Sequence, residues 1–75
     1  MRKAMRNRRI EMESTQAEIA ALVGIAACFY AQIERGVRGP SAETLLNLEA
    51  VLGLPAAVIM EKDSEGAETV RKAHA

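Results

Sequence analysis

The chain has 75 residues, a formal net charge of zero and 3% aromatic residues, whereas 49% of its residues are hydrophobic. This length allows one small domain with a modest core, and the absence of alternating apolar and polar residues predicts an all-α fold. The sequence has no phosphate-binding loop and no paired catalytic residues, and its apolar runs are far shorter than the roughly 20 residues that span a bilayer. We therefore expect neither an enzyme, a metal, a cofactor nor a membrane span.

The chain has a single cysteine and a single histidine. Cys28 has no partner for an internal disulfide, which favours a reduced, cytoplasmic setting. Its place near the start of a predicted helix would suit a thiol sensor, but a small apolar role is the more common one. His74 stands alone in the tail, so it does not indicate a metal site.

The charges are unevenly distributed along the chain. Residues 1–40 carry seven basic and four acidic side chains, whereas residues 41–75 carry three basic and six acidic ones. A basic first half suggests a polyanionic partner, although a solvated helix face explains the same pattern equally well.

Five short helices are predicted within residues 1–61, followed by a polar tail over residues 62–75. The first helix covers about residues 2–12. Thr15 and Glu18 have the spacing of a capping box, which starts the second helix at residue 16 and lets it run to about residue 23. We expect four residues of this second helix to face the core: Ile19, Ala20, Leu22 and Val23.

Gly24 is predicted to end the second helix in the left-handed conformation. The third helix, about residues 27–35, follows after only two or three residues, and Gly36 ends it. Such a short turn makes the two helices cross steeply, as in a helix-turn-helix. Ser41 is a suitable cap for a fourth helix that Gly53 ends, and a short fifth helix starts at Pro55. The fourth helix is expected to face the core with Leu45, Leu48 and Leu52.

A set of residues between positions 8 and 55 has a characteristic order and spacing: Arg9, Thr15-Gln16, Ile19-Ala20, Gly24-Ile25, Ile33-Glu34-Arg35-Gly36, Pro40-Ser41 and Leu52-Gly53. In these marks the chain resembles the lambda-repressor-like helix-turn-helix domains, the phage repressor and Cro-like group known as the XRE family. The resemblance implies five helices and a homodimeric regulator of transcription, most simply a repressor. It also implies that the third helix enters the major groove of a double-stranded DNA operator.

The resemblance also implies roles for individual residues. Base contacts would fall on the outer face of the third helix, at Ala27, Cys28, Phe29, Ala31 and Gln32. Phosphate contacts would come from Thr15, Gln16, Arg35 and Arg38. The basic cluster at the start of the chain adds Arg6, with Arg2 or Lys3 as further candidates, although a solvated helix face is the alternative reading of that cluster. Arg9 and Glu34 would form a structural ion pair. We expect the dimer interface around the fifth helix, at Leu54, Val58, Ile59 and Met60, because a short chain of this family has little else apolar to pair.

The sequence departs from the family pattern at several positions. Glu13 replaces a glycine that usually ends the first helix, and Ala26 replaces the usual serine or threonine cap of the third. Arg8 and Ser14 stand at positions that are often apolar. These departures predict a less stable member of the family. Tyr30, at an aliphatic core position, is expected to pack its ring inward with its hydroxyl at an edge.

The outer face of the third helix is compatible with two functions, DNA reading and protein binding. Of its outer residues only Gln32 suits paired hydrogen bonds with adenine, whereas alanine, cysteine and phenylalanine can contact thymine methyl groups. The same apolar face could instead bind a protein. The alternative is therefore a protein-interaction module, such as an antitoxin or an anti-repressor-like component with a regulatory protein partner.

Overall fold

The computed structural model describes residues 1–62, which contain five α-helices and no strand. The helices are α1 (Lys3–Glu11), α2 (Gln16–Val23), α3 (Ala27–Arg35), α4 (Ala42–Leu52) and α5 (Ala56–Met60). The predicted all-α, five-helix architecture is confirmed. Apart from Lys62, the predicted polar tail lies outside the described residues, and its extent stays a prediction.

Local hydrogen bonds at the helix ends explain why α2 and α4 start where they do. The Thr15 hydroxyl accepts the amide of Glu18 at 3.0 Å, and the Glu18 carboxylate accepts the amide of Thr15 at 2.7 Å. This completes the predicted capping box. The Ser41 hydroxyl accepts the amide of Thr44 at 3.2 Å at the start of α4. Ala26 provides no such bond for α3, so that helix begins with its first amides uncapped by a side chain.

The turn between α2 and α3 has the geometry of a helix-turn-helix. Gly24 ends α2 with φ +88°, and α3 then leaves at 107° to α2. The Ala20 carbonyl accepts the amides of Gly24 and Ile25 at this turn, at 2.8 and 3.0 Å. Ala20 is 1% exposed, in keeping with the small side chain at this position.

The turn after α1 contains a strained backbone position. Glu13 has φ +56° and is the one non-glycine residue within residues 1–62 in the left-handed region. A side chain with a Cβ atom costs about 1–2 kcal/mol there. The glycine that the family usually places at this position would avoid that cost.

The core lies between all five helices. Its fully buried large side chains are Met5, Ile19, Tyr30, Ile33, Leu48, Leu52 and Ile59. The prediction that Leu22 faces this core is wrong, because Leu22 is 66% exposed. With 3.6 residues in each turn, position 22 lies roughly 100° around α2 from the centre of the face formed by Ile19, Ala20 and Val23.

Polar side chains join α4 to its neighbours. Arg8 donates from Nε to the carbonyl oxygen of Leu52 at 2.8 Å and so satisfies a carbonyl in the last turn of α4. The Glu49 carboxylate accepts the amide of Ala56 at 2.6 Å at the start of α5. Arg8, at a position that is often apolar, therefore serves as a cap for another helix.

Candidate nucleic-acid interface

Helix α3 has one buried side and one outward side. Tyr30, Ile33 and Glu34 are buried, whereas Ala27 and Cys28 are exposed. Three of the predicted base-contact residues are half-buried: Phe29, Ala31 and Gln32. Phe29 also packs against the core. The predicted contact set thus consists of two exposed residues and three half-buried ones, and its contacts with bases stay a prediction.

A bidentate ion pair connects the carboxyl end of α3 to α1. Arg9 donates to Glu34 from Nε to Oε2 at 2.8 Å and from Nη2 to Oε1 at 3.2 Å. Its Nη1 donates to the carbonyl oxygen of Ser14 at 3.0 Å. Arg9 and Glu34 therefore form the pair that the resemblance implies, and this bidentate geometry holds both the distance and the orientation of the two helices.

Gln16 joins the same carboxylate from the first turn of α2. Its Nε2 donates to Glu34 Oε1 at 2.9 Å, so Glu34 connects α1, α2 and α3. Burial alone would raise the pKa of Glu34, but the hydrogen bonds from Arg9 and Gln16 outweigh it and hold that pKa below its ordinary value. The amide nitrogen of Gln16 carries a second hydrogen, and its predicted phosphate contact stays a prediction.

Arg9, Gln16 and Glu34 form one hydrogen-bonded group, the Glu34 cluster, and Tyr30 is its neighbour. Its side chain is fully buried, and its hydroxyl lies near Glu34 but makes no hydrogen bond of acceptable geometry. The expectation that the hydroxyl reaches an edge is therefore wrong. Burial and the neighbouring Glu34 charge raise the pKa of Tyr30, so its hydroxyl keeps its proton.

The other predicted phosphate contacts are at the surface. Arg6 on α1, Thr15 before α2, Arg35 at the end of α3 and Arg38 in the following loop are all exposed. Thr15 already uses its hydroxyl in the capping box. Their contacts with phosphates stay predictions.

Arg2 is buried rather than available to DNA. It is 3% exposed, and its Nη1 donates to the carbonyl oxygens of Ile33 and Arg38 at 2.6 and 2.9 Å. Its candidacy as a phosphate contact is therefore wrong. Burial lowers the pKa of this guanidinium. No sequence signal indicates contacts with residues 31 and 36 positions away.

The predicted dimer surface around α5 needs one correction. Leu54 and Val58 are half-buried, and Met60 is 39% exposed. Ile59 is fully buried among core residues of its own chain. We therefore remove Ile59 from the predicted surface, since its side chain has no area left to bury against a second copy.

The structure adds two observations on function classes. Residues 1–62 contain no group of three or more histidine, cysteine, aspartate or glutamate side chains that could hold a metal ion. No single helix among these residues is long and apolar enough to cross a membrane, and α2 with α3 meets that test only as a sharply bent pair.

Five helices, a steep α2–α3 crossing and an outward α3 define the class of helix-turn-helix domains. A helix-turn-helix family model matches residues 5–59 of the chain. The chain belongs to the lambda-repressor-like, or XRE, helix-turn-helix family, whose members are DNA-binding regulators. Comparisons with curated proteins and with solved structures found no match.

Proposed function

We propose that the chain is a sequence-specific transcriptional regulator that represses its target as a homodimer, with α3 in the major groove of the operator. The observation that supports this most is the two-sided α3. Glu34 ties its buried side to α1 and α2, while Ala27, Cys28 and Gln32 lie on its outward side. A helix fixed in this way can present the same face to every operator. Acting on DNA, the protein would work in the cytoplasm and without catalytic activity.

The proposed contacts divide into two kinds. Gln32 would pair with an adenine, and Ala27, Cys28, Phe29 and Ala31 would lie against thymine methyl groups. The proposed phosphate contacts add affinity without reading sequence. They are Arg6 on α1, Thr15 and Gln16 at the start of α2, Arg35 at the end of α3 and Arg38 in the following loop. In a homodimer the two α3 helices would be about 34 Å apart, one turn of DNA.

Selection from a random DNA pool at two salt concentrations tests the proposal. We expect a near-palindromic operator that binds at least about a thousandfold more tightly than unrelated DNA. Gln32→Ala should cost about 1–3 kcal/mol on that operator and relax the preference at one base pair. Arg35→Ala is the matched control, because it should weaken binding to all sequences alike. Equal, weak binding to every sequence would contradict the proposal.

The second candidate is a protein-interaction module on the same fold. The small apolar residues at the start of α3 and the 66% exposure of Leu22 on α2 favour it. An antitoxin or anti-repressor-like protein would use such a surface to bind a regulatory partner. Under this alternative Gln32→Ala leaves DNA binding unchanged, so the same variant distinguishes the two functions.

A further inference from the structure

The carboxyl end of α3 owes much of its hydrogen bonding to a residue far away in the sequence. The Gln32 carbonyl accepts the amides of Val37 and Arg38, at 2.9 and 3.3 Å. The Ile33 carbonyl accepts the Gly36 amide at 3.0 Å and also Nη1 of Arg2 at 2.6 Å. The Glu34 carbonyl accepts the backbone amide of Arg2 at 2.7 Å. The last carbonyls of a helix need such outside donors, and a positive charge at this end is favourable.

The same guanidinium nitrogen also holds the loop after α3. Arg2 Nη1 donates to the Arg38 carbonyl at 2.9 Å, so its two hydrogens connect the last turn of α3 to residue 38. Arg2 is 3% exposed, and water therefore has little access to replace these bonds. The backbone of residue 38 is bonded to Arg2 and to the Gln32 carbonyl, whereas the residue as a whole is exposed.

We propose that Arg2 is a positioning residue for DNA binding, which holds the loop of residues 36–38 so that Arg38 meets a phosphate when α3 is in the groove. This inference rests on the proposed DNA-binding function. Arg2 itself does not touch DNA in this arrangement. Its effect passes through the two carbonyl oxygens that it joins, those of Ile33 and Arg38.

The test combines DNA titrations with amide hydrogen exchange in the full chain. Arg2→Met removes the guanidinium donors, leaves the backbone amide of residue 2 in place and keeps an unbranched stem. Arg2→Lys keeps the charge and several hydrogens on one nitrogen. Arg2→Gln, which is too short to reach both carbonyls, replaces Arg2→Met if that variant does not fold. The probes are the selected operator and a random-sequence duplex, between about 50 and 200 mM salt.

We expect Arg2→Met to speed exchange at the amides of Val37 and Arg38 and to weaken binding to both duplexes by the same factor. The slope of log affinity against log salt should flatten by about 0.9, the effect of one lost phosphate contact. Adding Arg38→Ala to Arg2→Met should cause no further loss of DNA affinity. Arg2→Lys should restore most of the salt dependence of the unmodified protein. A purely structural role would lower thermal stability and leave the slope unchanged.

Three results would overturn the inference. Unchanged exchange at Val37 and Arg38 would show that Arg2 does not hold the loop. Faster exchange with an unchanged salt slope would show that the held loop does not matter for DNA. If the losses of DNA-binding free energy from Arg2→Met and Arg38→Ala were additive, the two residues would act separately. If the unmodified protein binds neither duplex, the proposed function itself fails, and the positioning role fails with it.

Discussion

Replacing Glu13 with glycine should stabilise the domain. Glu13 is exposed and has φ +56°. Relief of the left-handed strain is worth about 1–2 kcal/mol, whereas glycine loses roughly 0.5–1 kcal/mol more backbone entropy on folding. The central values leave a gain of about 0.75 kcal/mol, which for a domain of this size raises Tm by about 3–6 °C.

Thermal unfolding followed by circular dichroism measures this gain, and two further variants separate its causes. Glu13→Ala removes the same charge but keeps the strained Cβ, so its Tm should stay near that of the unmodified protein. The Tm of Glu13→Asn should fall between those of Glu13→Ala and Glu13→Gly, because asparagine tolerates the left-handed region. If alanine stabilised the domain as much as glycine, the charge rather than the backbone would be responsible and the reasoning would be refuted.

Three other predictions concern the cap, the carboxylate and the dimer surface. Ala26→Ser should add the missing cap of α3 and stabilise the domain by about 1 kcal/mol in thermal unfolding, with Ala26→Gly as a weaker control. Glu34→Gln should lower the free energy of unfolding by about 3 kcal/mol, because the amide nitrogen of glutamine would face the donors of Arg9. Because the folded pKa of Glu34 is lowered, its contribution is complete above its ordinary value of 4.5 and is lost as the pH falls below that value. Denaturant titrations at pH values above and below 4.5 should therefore show that the free energy of unfolding depends less on pH in Glu34→Gln than in the unmodified protein. An equal pH dependence would contradict the stabilising role of the Glu34 carboxylate. The proposed homodimer predicts that Met60→Glu shifts sedimentation from dimer to monomer, whereas Leu46→Glu, on an exposed part of α4, does not; no difference between the two would argue against the α5 surface.

The helix bounds were predictable because their signals are local. The Thr15–Glu18 pair and the glycines after α2, α3 and α4 act within a few residues, and each ends or begins a helix where the sequence indicates. The Arg9–Glu34 pair was accessible only through the family resemblance, since nothing local connects residues 25 positions apart.

The contacts that were not predicted depend on how the helices pack. The polar stretch at the start of the chain gives no sign that Arg2 turns inward, because its partners are backbone carbonyls, which every residue has. Arg8 and Glu49 likewise serve the ends of other helices. Leu22 shows the opposite error: hydrophobicity alone placed it inside, whereas the narrow buried face of an eight-residue helix leaves it outside.

The outward side of α3, which we propose reads DNA, is separate from its buried side, and this separation should make the domain easy to retarget. Ala27 and Cys28 are exposed and belong neither to the buried core nor to the Glu34 cluster. A library randomised at these two positions should therefore remain folded in most of its members, because surface substitutions of this kind usually change stability by less than about 0.5 kcal/mol. New binding preferences could thus arise on this scaffold without compensating changes elsewhere in the chain.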